Sequence, residues 1–343
     1  MDFADYIRTF NTGDDAVLVR DFYAPDIHFQ SGPRILRGTD ELLQFLNWAH
    51  DGIREIIRAQ TVLRDENRIF AEIDMDFHAT KDKPDFTFGA LKKGEFTTVK
   101  FFVLYTLRDG RVARFKAATW PPNLGVTKPD SAAVLGAAPA QAPAAHLTQA
   151  TATAPTRAPV AHLTGSPATP ARPPAALASP PVTAPSQAPS GAPAQRAQPA
   201  RSSAAERLGG TPEGRQAFMD YTRAFSNADF DSFSRFYTDD VRCELPSAVL
   251  ERREGIVGFY REMFKTVRES LTLHQLIADD AGLAADVTSQ FTAIEDAPHF
   301  VVAALKKGEF VRVRVFVYYT LRDGKIASIR VARAGTPSKP QRL

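Results

Sequence analysis

The first fifty residues of the chain place apolar side chains at helical spacing. Over 3–11 they recur every three or four positions, Tyr6 and Phe10 among them, which predicts a short helix. A second helix is predicted over about 14–23, after the turn-forming string NTGDD. A third is predicted in the stretch DELLQFLNWAH, with Thr39 as its expected N-cap. The pattern therefore predicts a helical start.

After the third helix the hydrophobic period changes to two. In 69–79 apolar residues take one face of a predicted strand, and polar residues, including Asp76 and His78, take the other. A strand over 99–107 follows, and the turn RDG leads into a last strand over 111–120. Helices followed by alternating strands predict an α+β domain. We expect three helices to cover a curved antiparallel sheet and to leave a cone-shaped cavity.

The same pattern occurs twice. The strings LKKGEF and YTLRDG first stand at 91–96 and 105–110, and both return 214 residues later. With that shift, 98 consecutive residue pairs starting at Phe22 and Phe236 align without a gap, and 32 of them are identical. A period of this length is too long for a solenoid repeat and indicates a duplicated domain. The N-terminal half is copy one and the C-terminal half is copy two.

The segment between the copies has a different composition. Residues 131–200 contain 24 Ala and 14 Pro, with no acidic and no aromatic residue, so we expect this stretch to be disordered. The predicted boundaries are copy one over 1–127, a flexible linker over 128–212, copy two over 213–335 and a short tail over 336–343.

Composition and charge narrow the possible functions. The chain has 42 Lys and Arg against 39 Asp and Glu, and this small excess does not favour nucleic-acid binding. Its single cysteine, Cys243, excludes an internal disulfide and a cysteine-based zinc site. No apolar run is long enough for a signal peptide or a membrane span, so the expected location is the cytoplasm. No nucleotide-binding or metal-binding motif occurs, and we expect neither a cofactor nor a metal.

Three stretches of copy one carry a resemblance to a known superfamily. The strings YIRTFNTGDDAVLVRDFYAPDIHF, GTDELLQFL and YTLRDGRVARF resemble the nuclear transport factor two-like superfamily, which includes SnoaL-type polyketide cyclases and steroid isomerases. The resemblance implies a pocket inside the cone, lined by helix residues and by the concave face of the sheet. It also implies dimers packed sheet to sheet, formed here within one chain or as a homo-oligomer.

The resemblance suggests roles for individual residues. Tyr6 stands eight positions before Asp14, as does the tyrosine of steroid isomerases that donates a hydrogen bond to the oxyanion, and Tyr221 has the same place in copy two. The alternative is a helix tyrosine packed in the core. At the position of the isomerases' aspartate base the chain has Ser31 and Leu245, so steroid-type isomerisation is not expected.

Other candidates come from the residues themselves. Asp76 and His78 share a strand face and could form an acid–base pair, unless that face is solvated or lies in an interface. Asp85 could be a rim acid in the loop after that strand, or a turn residue. The expected pocket residues are Phe10, Phe29, Ser31, Trp48, Phe101, Tyr105 and Tyr221.

Two functions remain open. The first is a cofactor-free lyase, isomerase or cyclase that acts by acid–base chemistry on a small apolar oxygenated molecule, with its site in copy one. The polar residues of copy one and Tyr6 favour it. The second is a non-catalytic ligand-binding or assembly module, which the expected lack of a buried carboxylate on a strand favours.

Overall fold

The computed structural model describes residues 1–120, 126–127 and 207–342. Most of the predicted linker lies outside these ranges. The two copies have the same order of elements.

The described residues of copy one form three helices and seven strands. The helices are α1 (Phe3–Thr12), α2 (Asp15–Phe22) and α3 (Gly38–Ala49), and the strands are β1 (Tyr23–Ser31), β2 (Arg34–Arg37), β3 (Ile53–Arg64), β4 (Arg68–Ala79), β5 (Phe96–Arg108), β6 (Arg111–Trp120) and β7 (Val126–Thr127). The predicted α+β class with three N-terminal helices is confirmed. The N-cap prediction is wrong: Thr39 lies inside α3, and Arg37, which makes no side-chain capping bond, precedes the helix.

Copy two repeats this architecture. Its helices are α4 (Pro212–Ser226), α5 (Phe230–Ser234) and α6 (Arg252–Met263), and its strands are β8 (Tyr237–Leu245), β9 (Ala248–Glu251), β10 (Val267–Ala278), β11 (Gly282–Ala293), β12 (Glu309–Arg322), β13 (Lys325–Arg333) and β14 (Gln341–Arg342). Leu208 is buried in the core of this copy, and Thr211 caps α4 through its side chain. The ordered domain therefore begins before 213, and β14, inside the predicted tail, pairs with β12.

Each sheet is antiparallel except at one pairing. The strand order in copy one is β2-β1-β6-β5-β4-β3, with β7 beside β5, and copy two has the equivalent order. β1 runs parallel to β6, and β8 runs parallel to β13, so the predicted antiparallel sheet contains one parallel pairing in each copy. These partners are separated by a helix and four strands, a connection long enough for parallel pairing.

The repeated RDG string is a hairpin turn in both copies. Asp109 and Gly110 have φ values of 52° and 74°, and Asp323 and Gly324 have values of 55° and 75°. A two-residue turn with positive φ at both positions matches the twist of the strands that it joins, and Asp-Gly is a preferred sequence for it. The repetition of this string thus reflects a requirement of folding.

The outer faces of the two sheets pack against each other within the chain. The buried apolar side chains of this contact are Leu63, Phe70, Phe102, Leu104, Ala118, Ile277, Ala284, Phe316, Tyr318, Ala332 and Ala334. Lys116 Nζ lies 2.9 Å from Asp286 Oδ2, and Arg330 pairs with Glu72. Lys116 and Arg330 are equivalent positions, as are Glu72 and Asp286, so the two ion pairs are related by a pseudo-twofold axis. The contact has the self-complementary form of a symmetric dimer.

Candidate active site

A cavity of about 150 Å³ lies inside copy two, between its helices and the inner face of its sheet. Its walls are mostly apolar. The polar side chains of its lining include Tyr221, Tyr237, Tyr260, Glu269, Ser289, Tyr319 and Arg333.

Smaller side chains in copy two explain why space remains there. Phe29, Phe101 and Phe115 of copy one stand where copy two has the cavity-lining residues Cys243, Val315 and Ile329. In copy one the rings of Phe29 and Phe115 stack with centroids 4.4 Å apart, and the ring of Phe101 lies 5.9 Å from that of Phe88. These rings take up more of the interior of copy one than the smaller side chains do in copy two.

A single carboxylic acid is buried in this cavity. Glu269 follows Val267 and precedes Leu271 in the inward-facing row of β10, and only 8% of the residue is exposed. Burial raises the pKa of its carboxyl to about 7, although a hydrogen bond from Ser289 lowers it in part. No basic side chain of the described residues forms an ion pair with it. A carboxyl with a pKa near neutrality can accept and return a proton under physiological conditions.

Four tyrosines add hydroxyl groups to the same cavity. The hydroxyls of Tyr221 and Tyr237 share a hydrogen bond of 3.0 Å, and Tyr260 and Tyr319 complete the set. Burial raises the pKa of each phenol well above its ordinary value, so these groups remain neutral donors. They are suited to hydrogen-bond an oxygen on which negative charge develops.

The equivalent carboxylate in copy one has a different environment. His50 Nδ1 lies 2.7 Å from Asp15 Oδ2, and its Nε2 lies 3.8 Å from Glu55 Oε2, a distance for an ion pair and too long for a hydrogen bond. Burial alone would lower the pKa of His50, but Glu55 and Asp15 raise it to about 9. His50 is therefore charged at neutral pH. Copy two has Phe264 at this position, so Glu269 lacks the ionic partner that Glu55 has in copy one.

Most residues predicted for the pocket of copy one are part of its packed core. Phe10, Phe29, Phe101 and Tyr105 are buried among other apolar side chains. Tyr6 is also buried, and its hydroxyl shares a hydrogen bond of 2.8 Å with that of Tyr23.

Two predicted pocket residues of copy one lie nearer the surface. Trp48 is 60% exposed on α3, where the Arg34 guanidinium lies over its ring, so it is not a buried pocket wall. Ser31 is half-buried at the end of β1. Of the predicted site residues, only Tyr221 lines the cavity of copy two.

The structure places Asp76 and His78 on the outer face of β4. The Asp76 carboxylate accepts hydrogen bonds from Arg58 (2.7 and 2.8 Å) and from Thr98 Oγ1 (2.6 Å). The His78 ring stacks on Phe96, and burial lowers its pKa. The two residues do not face the inside of the cone, and Asp85 is exposed in the following loop. The three candidates therefore do not form one site with Tyr6.

Glu269 was not predicted, and the expectation that no strand carries a buried carboxylate is wrong. The signal was present in the string VRESLTL. There Val267, Glu269 and Leu271 alternate with polar residues, which places an acid in an otherwise apolar row. Copy one repeats this pattern with Ile53, Glu55 and Ile57.

Comparison with known proteins identifies the family. The model of the SnoaL-like domain matches residues 3–115 and again 210–329. The chain therefore belongs to the SnoaL-like domain family, with one domain in each half. No curated protein matches the sequence.

Solved structures with this fold resemble a single copy. A protein from Silicibacter sp. TM1040, provisionally assigned as a polyketide cyclase, is 20% identical with a TM-score of 0.31, over 35% of this chain and 87% of that one. A protein from Pseudomonas putida KT2440 with the same provisional assignment is 20% identical with a TM-score of 0.29, over 33% and 86%. An LEH-like epoxide hydrolase of M. tuberculosis is 18% identical with a TM-score of 0.29, over 34% and 80%.

Within the described ranges, the side chains of His, Cys, Asp and Glu do not cluster in groups of three or more that could hold a metal ion. None of the described helices is long and apolar enough to cross a membrane.

Proposed function

We propose that copy two is a cofactor-independent acid–base catalyst, of the lyase, isomerase or cyclase type, for a small apolar oxygenated molecule. The observation that carries this proposal is Glu269, a carboxyl with a pKa of about 7 that is buried without an ionic partner in an apolar cavity. Acids whose pKa is strongly altered by burial in a cleft are concentrated at functional sites. The site thereby moves from copy one, where the sequence predicted it, to copy two.

The geometry supports a two-part mechanism. Glu269 in its ionised form removes a proton from a carbon next to a carbonyl group of the bound molecule, and then returns it to another atom. The charge that develops on the carbonyl oxygen is stabilised by a phenol donor such as Tyr221. Because the surrounding walls are apolar, little water competes for these hydrogen bonds.

Copy one has a supporting role in this proposal. Its interior contains stacked phenylalanine rings, and Glu55, the counterpart of Glu269, is held in an ion pair with His50. Its sheet covers the outer face of the sheet of copy two and buries that apolar surface. The second function considered from the sequence, a non-catalytic assembly module, therefore suits copy one.

The test is deuterium exchange, because lyase, isomerase and cyclase reactions of this kind can each begin with removal of a proton next to a carbonyl. Phenylacetone is a suitable small ketone, and its exchange in D₂O can be followed by proton NMR with the full-length chain. The exchange rate is expected to rise with pH through about 7 as Glu269 loses its proton. Glu269→Gln is expected to reduce the enzyme-dependent rate by about a hundredfold or more, since it removes the base.

Glu55→Gln is the matched control, as it makes the same change at the equivalent position of copy one. It is expected to leave the exchange rate unchanged. An equal loss in both variants, or no exchange with the wild-type chain, would contradict the proposal.

A further inference from the structure

Arg333 is a charged residue in the inward-facing row of β13. Ile329 and Val331 precede it in that row, and all three side chains line the cavity of copy two. The residue is exposed, which places it where the cavity meets solvent. Copy one has Thr119 at this position. The cation is therefore specific to the copy that contains the cavity.

Arg333 has no acidic partner among the described residues, in contrast to nearby arginines. Arg330, on the outer face of the same strand, pairs with Glu72, and Arg314 of β12 donates a hydrogen bond of 2.7 Å to Asp286. The Arg333 guanidinium also forms no ion pair with Glu269. An unpaired guanidinium at the edge of an apolar cavity is available to a ligand.

The size and lining of the cavity limit the rest of the ligand. Valine, leucine and phenylalanine side chains form most of the wall. An apolar protein cavity of about 150 Å³ can hold a molecule the size of benzene. The cavity thus suits an apolar body of about one six-membered ring.

We propose that the ligand of copy two is a small carboxylic acid with an apolar body of about one ring, whose carboxylate is bound by Arg333 at the mouth of the cavity. A planar guanidinium binds a planar carboxylate through two parallel hydrogen bonds, and a single arginine suffices for this geometry. The apolar body then extends inward toward Glu269. This assignment rests on the proposed function only because both concern the cavity of copy two. The assignment itself concerns binding and not proton transfer.

The test compares two probes of similar size by isothermal titration calorimetry with the full-length chain. Phenylacetate carries the carboxylate, and 2-phenylethanol has a neutral hydroxyl in its place. At pH 6 Glu269 is mainly protonated, so its charge does not oppose the acid. The wild-type chain is expected to bind phenylacetate about tenfold more tightly than 2-phenylethanol, the effect of one charge-assisted contact that is partly exposed to water.

Arg333→Gln is expected to remove this preference and to leave the binding of 2-phenylethanol unchanged. Arg268→Gln removes the same charge from an exposed, outward-facing position of β10 and is expected to keep the preference. Circular dichroism of each variant checks that it is folded.

Three results would overturn the assignment. Equal binding of both probes by the wild-type chain would show that no anion is recognised. A preference that survives in Arg333→Gln would place recognition elsewhere. If the wild-type chain bound neither phenylacetate nor 2-phenylethanol, a one-ring acid would be excluded as the ligand. Deuterium exchange with the neutral ketone does not need Arg333, so the acid–base proposal stands or falls by that separate measurement.

Discussion

Glu55 and Glu269 occupy equivalent positions on the third strand of each copy, but among the residues that the structure describes only Glu55 lies beside a cation. His50 provides that cation in copy one, and Phe264 replaces it in copy two. In copy one the carboxylate, Glu55, is therefore part of a charged network. In copy two the equivalent carboxylate, Glu269, lies in an apolar cavity without an ionic partner. This divergence gives the two equivalent carboxylates different electrostatic environments.

The lone carboxylate predicts a pH-dependent stability. The pKa of Glu269 is raised by folding from 4.5 to about 7, so its contribution is fully favourable below pH 4.5 and is lost as the pH rises through 7. Above that pH the buried charge costs roughly 3 kcal/mol. In urea denaturation followed by circular dichroism, Glu269→Gln is expected to become more stable relative to the wild type as the pH rises from 5 to 9. A pH-independent difference would contradict this result.

His50 predicts a different pH dependence in copy one. Its pKa is raised from 6.5 to about 9, so its stabilising effect is full below pH 6.5 and is lost as the pH rises through 9. His50→Gln is expected to destabilise the chain most below pH 6.5 and least above pH 9, as measured by urea denaturation at several pH values. His78→Gln is the control. Because burial lowers the pKa of His78, its replacement is expected to help stability at low pH.

The two reciprocal ion pairs between the sheets are expected to differ in their sensitivity to mutation. Arg330→Met leaves the Glu72 carboxylate, which is only 4% exposed, without a cation, and this is expected to cost about 3 kcal/mol. Lys116→Met is expected to cost less, because Asp286 keeps its ion pair with Arg314. The free energy of unfolding in urea measures both. Equal losses in the two variants would show that Arg314 does not compensate.

Phe101 in copy one and Val315 in copy two are equivalent positions, and exchanging their side chains is expected to have different effects in the two copies. Val315→Phe introduces the side chain of Phe101 into copy two and is expected to abolish the binding of 2-phenylethanol, because the ring occupies the cavity. Phe101→Val removes a buried ring from copy one and is expected to cost about 2–4 kcal/mol, since it leaves a void. Calorimetry measures the first effect and urea denaturation the second. Full binding by Val315→Phe would mean that the probe lies outside this cavity.

The two helix tyrosines are also expected to differ. Tyr221→Phe removes a donor from the cavity and is expected to slow deuterium exchange of phenylacetone by about a hundredfold, the usual effect of losing one oxyanion donor. Tyr6→Phe removes a hydroxyl that is hydrogen-bonded to Tyr23 inside the packed core and is expected to leave the exchange rate unchanged. An equal decrease in the two variants would mean that copy one is active as well.

The candidate site contains residues that a linear pattern singles out and others that it does not. Tyr221, which lines the cavity, is predicted from its position in the helix, which corresponds to that of tyrosines in similar proteins. Asp76 and His78 were singled out as polar neighbours on one strand face, but that face lies toward the outside of the cone, where Arg58 and Thr98 bind the carboxylate. Glu269 was missed, although its inward-facing position can be read from the alternation of β10.

The sequence by itself determined the duplication, the order of helices and strands, and the RDG hairpins. These features depend on spacing between residues close along the chain, which a linear pattern records directly. Only the tertiary structure decided where the cavity of copy two lies and which of the two carboxylates has an ionic partner. A cavity is the volume left over by side chains from several helices and strands, and a pKa depends on every charge that packing brings near. Neither the cavity volume nor the pKa can therefore be read from a single stretch of sequence.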